Sequence, residues 1–300
     1  MSAGEDLIKV GYCVAYDWYM LKDSIPLIYD QADVICLSLD ANRTSWSGNK
    51  FELERSDLDK LVKSVDRDNK ILVSEEDFYL PELSPMQNEV RQRNRIAELM
   101  GKGGWHIQLD CDEYFLDFKG FTHFLKRMSP GQRRKINVSC PWIILYKQTA
   151  DGFLYVDPEA SDKLEFMQIA TYEPHYEHSR RNGNFNILTN FQILHQSWAR
   201  TDDEVQTKLR NWGHSQDLDP QRYFETWQQI SKENFHRFHN LHPLIPTHWP
   251  SLAYVRGTAI AEISRNLEIG KFPTLSAWQL FLKNSKLVSR LRKILRVTGA

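Results

Sequence analysis

The sequence predicts an α/β fold, a mostly parallel sheet covered by helices, and three observations carry the prediction. In the first half, short apolar runs alternate with segments of helical spacing. The 300 residues are 41% hydrophobic and 26% charged, a globular mix that can bury a sizeable core. Aspartates close three of the apolar runs, at Asp17, Asp40 and Asp110. That is the edge where open parallel sheets bind ligands.

The elements follow in order. Residues 9–17 (KVGYCVAYD) read as a first strand, and 18–32 as a helix with Pro26 an irregularity. Residues 33–40 (DVICLSLD) form a second strand. A helix over 51–65 places Leu53, Leu58, Leu61 and Val65 on roughly one face. Residues 70–78 form a third strand. The helix over 84–101 has Ser84 as its cap, Pro85 in first position and Gly101 as its stop. The fourth strand ends in Asp110-Cys111-Asp112-Glu113.

The second half is expected to be mixed. A helix is predicted over 118–128, and strands within 135–147 and 183–199. Helices follow over 202–215, capped by Thr201 or Asp202 and stopped at Gly213, and over 220–239. No repeat or low-complexity linker divides the chain. Residues 1–282 are therefore expected to form one domain, with a first half over about 5–130 and a second over 131–282. From Lys283 on, six basic residues and no acid accompany Leu287, Leu291, Ile294 and Leu295 at helical spacing. This tail, 283–300, reads either as a basic amphipathic helix on an anionic membrane surface or as a terminal helix packed on the body.

A formal charge of −1 argues against a general nucleic-acid binder, which is usually basic overall. No window is long and apolar enough to span a bilayer, and the start lacks a signal-peptide pattern. Cys13, Cys36, Cys111 and Cys140 lack metal-type spacing and read as buried free thiols, which fits a cytoplasmic protein.

Asp110 and Asp112 after a buried strand suit a hard divalent cation, Mg²⁺ or Mn²⁺, that keeps positions open for substrate phosphates. The stretch from Lys9 to about Phe115 then resembles the nucleotide-binding half of glycosyltransferase family 2, the GT-A fold. The resemblance rests on "VAYD" (14–17), Asp40 in "LSLDAN", Arg93-Asn94 in "VRQRNRIAEL", and Asp110-x-Asp112, in that order. It implies a metal-dependent hexosyltransferase using a nucleotide-diphosphate sugar, a UDP-sugar being the first choice. The implied acceptor is a glycan or a lipid-linked sugar in cell-surface polysaccharide synthesis. Ala15, Tyr16, Asp40, Arg93 and Asp110 would meet the nucleotide, and Asp110 and Asp112 the metal. Two departures from the pattern are "DANRTSWSG" after the second strand and Ile96 where a small residue is usual.

Some GT-A enzymes add a histidine to the metal shell, and His195 is the candidate, with His214 second. Such a ligand favours manganese. Lys208 or Arg210 could reach a diphosphate. For the carboxylate base of an inverting transfer, Glu173 and Glu177 are the candidates, with Asp157 and Glu159 behind them. Two other readings compete. One is a non-catalytic nucleotide-sugar-binding protein. The other is a phosphohydrolase of the haloacid-dehalogenase type, which places Asp-x-Asp after the first strand with a threonine following. Here the pair ends the fourth strand and Tyr114 follows.

Overall fold

The computed structural model describes residues 6–158, 160, 164–214, 217–245, 247–267 and 272–289. Four strands, β1 (Ile8–Val14), β2 (Val34–Asp40), β3 (Ile71–Glu76) and β4 (Trp105–Asp110), pair in parallel in the order β3-β2-β1-β4. All seven residues of β1 are buried, as an inner strand covered on both faces requires. The crossovers carry α1 (Leu21–Ile28), α2 (Arg55–Val65) and α3 (Pro85–Leu99). The chain leaves β1 toward β2 on one side and enters β4 on the other, so the strand order reverses at β1. A crevice opens outside the carboxyl ends of strands at such a switch.

Local chemistry explains the helix ends. Ser84 and Gln87 form a reciprocal capping box at α3, with Pro85 in first position. Gly101 follows with φ +74°, a conformation that suits glycine. The helix expected over 51–65 begins only at Arg55. Phe51 and Leu53 are buried from the preceding loop instead, where Phe51 N–H donates to Arg43 O. The helix expected over 18–32 is a 3-10 turn at Trp18–Met20 followed by α1, which contains Pro26.

Ile96 also finds its reason. A Cβ on Gly11 would stand 2.3 Å from Ile96 Cγ2. The glycine is on the strand, so the larger side chain can be on the helix.

The sheet continues through the second half. β4 pairs antiparallel with β8 (Phe166–Thr171), β8 with β6 (Ile136–Gln148), β6 with β7 (Gly152–Val156), and β7 with β11 (Leu252–Arg256). β9 (Phe185–Leu188) and β10 (Ile193–His195) run parallel to β6, and β5 (Glu113–Phe115) pairs antiparallel with β10. Around them lie α4 (Phe118–Arg127), α5 (Pro130–Arg133), α6 (Asp202–Asn211), α7 (Pro220–Gln229), α8 (Ile260–Asn266) and α9 (Ala277–Asn284). α6 takes Thr201 as its cap, and α7 is shorter than the 220–239 expected. The four cysteines are free and buried.

Directions matter for the site. β8 runs against β4, so the residues just before β8, including Glu165, come to the edge where β4 ends. β10 is parallel to β6, which is antiparallel to β8, so His195 arrives at the same edge.

Candidate active site

A cleft of about 350 Å³ opens at the switch point. Its floor is the ends of β1 and β4. Ala15, Tyr16, Asp17, Asp40, Asp110 and Asp112 line it. The acidic run lies in the turn between β4 and β5. Asp110 and Asp112 line the cleft, and buried Cys111 between them donates its Sγ–H toward Cys13 O, 3.6 Å away.

The protein itself supplies cations to these acids. Asp110 Oδ1 accepts from Arg93 Nη2 at 2.8 Å, and Oδ2 lies 2.7 Å from Arg180 Nη2. Arg180 also makes a two-pronged pair with fully buried Glu113, at 3.0 and 2.9 Å. Asp112 Oδ2 accepts from Arg200 Nη2 at 2.5 Å and from Lys208 Nζ at 3.1 Å. Arg200 reaches Asp17 Oδ2 as well, at 3.1 Å. Arg93, Arg180, Arg200 and Lys208 are all buried.

The electrostatics follow from this pairing. Burial opposes the charge on Asp110, but Arg180 and Arg93 outweigh it and hold the carboxyl at about 2. Asp112, also buried, is driven well below the usual carboxylate range by Lys208, His195 and Arg200. Burial wins at Asp17 and Glu113, whose carboxyls sit above their ordinary values despite Arg200 and Arg180 respectively. Lys208 lies below the ordinary lysine value because burial outweighs a carboxylate it shares with Arg200.

The residues expected to meet a nucleotide divide into two groups. Ala15, Tyr16 and Asp110 line the cleft. Asp40 lines it too, but its carboxylate is already spent. Oδ1 accepts the N–H groups of Asn42 and Thr44, and Oδ2 those of Phe78 and Tyr79. Asp40 pins two loops together. Arg93 is 1% exposed, lies beneath the floor and is held by Glu89 and Asp110. Of the aspartates lining the cleft, it touches Asp110.

His195 does come to the aspartate pair, with Nε2 3.5 Å from Asp112 Oδ2 and its ring 4.4 Å from that of Trp142. His214 lines the cleft and hydrogen-bonds Asp217. Lys208 lines the cleft, whereas Arg210 is exposed and donates to Gln206 O on its own helix. Glu173 and Glu177 are exposed and absent from the cleft lining. Their loop follows β8 and meets the cleft through His178, Ser179, Arg180 and Arg181 instead. Asp157 follows β7 away from the lining, and Glu159 lies outside the described residues.

Among the described residues, no group of three His, Cys, Asp or Glu side chains is spaced to hold a metal ion. Both aspartates spend oxygens on guanidinium and ammonium groups. On Asp112 the Arg200 and Lys208 contacts both fall on Oδ2.

Aromatic walls complete the cleft. Trp46 donates its indole N–H to Gln92 at 2.7 Å and covers the Arg93 guanidinium. Its loop is fastened across the cleft to α6 by Ser45 on Asn211 Oδ1 and Asn49 on Arg210 O. Trp142, Trp198, Trp212 and Trp249 line the cleft as well. Glu165, half-buried in the wall, accepts from the indole N–H of Trp249 at 3.0 Å.

Sequence reasoning missed Arg180, Arg200, Glu89 and Glu165. Arginine and glutamate are seldom buried, and nothing local in "HSRRNG" or "SWARTD" marks which arginine turns inward.

The fold and site define an α/β protein with a paired-carboxylate cleft at the sheet's switch point. No family model matches the chain, and no curated protein matches it. One similar solved structure is a mannose-1-phosphate geranyltransferase from Thermus thermophilus, at 8% identity and a TM-score of 0.27. The match covers 56% of this chain and 51% of that one, so the chain spans about half the length of that structure. Likeness at this level carries no argument about activity.

Proposed function

We propose that this protein is a glycosyltransferase that moves a sugar from a nucleotide-diphosphate donor to a hydroxyl of a glycan or lipid-linked sugar. The observation that carries the reading is the cleft itself, where Asp110, Asp112 and Lys208 meet at the strand ends between tryptophan walls. Tryptophan faces suit sugar rings and nucleobases. A calorimetric screen of nucleotide-diphosphate sugars tests it. Saturable binding and transfer are expected, with transfer abolished in Asp112→Ala. No binding of any donor would end the reading.

Positive charge for the diphosphate has two candidate sources. One is the chain itself, since Lys208 uses one of its three N–H donors on Asp112, and exposed Arg181 lines the cleft. The other is Mn²⁺ or Mg²⁺, which the family resemblance implies and which Asp110 and Asp112 would hold. Excess chelator separates them. Activity that survives it assigns the charge to Lys208 and Arg181. Activity lost to it and restored by Mn²⁺ assigns the charge to an ion.

Glu165 replaces Glu173 and Glu177 as the base for the acceptor hydroxyl. It lines the cleft, and the Trp249 indole orients its carboxylate. Glu165→Gln is expected to lower turnover about a hundredfold or more with donor binding retained. Unchanged turnover would exclude it. Donor binding without transfer to any acceptor in a broad panel would favour the binding-protein alternative.

A further inference from the structure

Two stretches of the chain carry cations and no acid. Residues 118–135 contain Lys119, Lys126, Arg127, Arg133, Arg134 and Lys135. Residues 276–300 contain Lys283, Lys286, Arg290, Arg292, Lys293 and Arg296. The formal charge of the whole chain is −1, so acids elsewhere balance them. They are far apart in sequence, yet the structure puts them side by side. One groove is lined by His123, Phe124 and Arg127 from α4 and by Asn284 and Lys286. The next is lined by Phe124 together with Leu280, Phe281 and Asn284.

α9 is held firmly at this place. The Asn284 side chain donates to Leu188 O at 2.9 Å and accepts Leu188 N–H at 2.8 Å, as a neighbouring strand would. Asn190 makes the same reciprocal pair with Leu275. So anchored, the helix turns Trp278 and Phe281 outward, stacked with centroids 5.7 Å apart and 66% and 63% exposed. Leu287, further along the chain, is 68% exposed. Lys119, Lys126, Arg127, Arg134, Lys135, Lys283 and Lys286 are exposed. Arg133 is not part of this surface, being turned inward to Lys126 O, Met128 O and Asp6. Arg290, Arg292, Lys293 and Arg296 lie outside the described residues.

Exposed, stacked aromatics on a face that also carries lysine and arginine are the chemistry of a membrane interface. Indole and phenyl rings settle among headgroups, and cations meet anionic lipid. We propose that the α4–α9 face docks this protein on an anionic bilayer surface, with Trp278 and Phe281 entering the headgroup region. The inference goes beyond the transferase reading and does not depend on it.

The test is co-sedimentation of the full chain with vesicles of phosphatidylcholine alone or mixed with phosphatidylglycerol. Binding is expected only with the anionic lipid and should weaken as salt rises. Trp278→Ser with Phe281→Ser should weaken it about tenfold or more, from the lost interfacial burial. Lys126→Glu with Arg127→Glu should also weaken it, by at least about fivefold for each cation removed from the surface. All four side chains are solvent-facing or partly so, and an unchanged melting temperature confirms folding. Equal binding to neutral vesicles, or none to anionic ones, overturns the proposal. So does binding that ignores the α4 pair, which would reduce the contact to the tail. Tight binding to heparin that survives loss of both aromatics would point instead to a soluble polyanion and also overturn it.

Discussion

Arg200 Nη2 stands 2.5 Å from Asp112 Oδ2 and 3.1 Å from Asp17 Oδ2. One buried guanidinium thus ties the turn after the first strand to the turn after the fourth. The repulsion between those acids is met there by a side chain 88 residues further along than Asp112.

Removing that guanidinium leaves two buried carboxylates short of a partner. Arg200→Met is expected to cost about 3–5 kcal/mol of stability, read as a lowered urea midpoint. A loss under about 1 kcal/mol, the range of an exposed pair, would show that the contact is worth little.

The contact between β1 and α3 leaves no room at Gly11. Gly11→Ala is expected to destabilise by about 1–3 kcal/mol, because its Cβ would overlap Ile96 Cγ2. In a double-mutant cycle, Ile96→Ala should relieve part of that loss. Strict additivity would refute the clash.

Asp40 accepts four backbone N–H groups, two from each of two loops. Asp40→Ala should cost about 3 kcal/mol or more, since it orphans buried donors, and Asp40→Asn should cost less because its amide oxygen still accepts. If Asp40→Asn kept the unfolding midpoint and lowered donor affinity, the residue would be a ligand contact instead.

Acid should unfold the protein in two stages. His106 is fully buried, and burial, then Lys9, pushes its pKa down to about 4. A depressed histidine favours the fold while both states are neutral, above about 6.5. As pH falls from there to about 4, the unfolded chain takes a proton that the folded one refuses. A shift of that size removes about 3 kcal/mol. Asp110, held at about 2, adds a second loss between about pH 4 and 2, where the unfolded carboxyl protonates first. Unfolding free energy measured across pH 2–8 should therefore show both limbs. His106→Gln should flatten the upper limb and Asp110→Asn the lower. An upper limb unchanged by His106→Gln would reject its assignment.

The sequence by itself determined the order of strands and helices in the first half, the capped start of α3, and the placing of Asp110 and Asp112 at a strand end. Such features are set by neighbours: a hydrophobic period, a cap three residues from its partner, or alternate residues on one face. Only the tertiary structure decided which charges neutralise which. Arg200 and Asp112 are 88 residues apart, and Arg180 and Glu113 are 67 apart. It also decided that Asp40 serves backbone amides, that Glu165 and not Glu173 or Glu177 faces the cleft, and that α4 stands beside α9. An ion pair forms wherever the folded backbone brings two ends together, and a residue's type does not record where that will be.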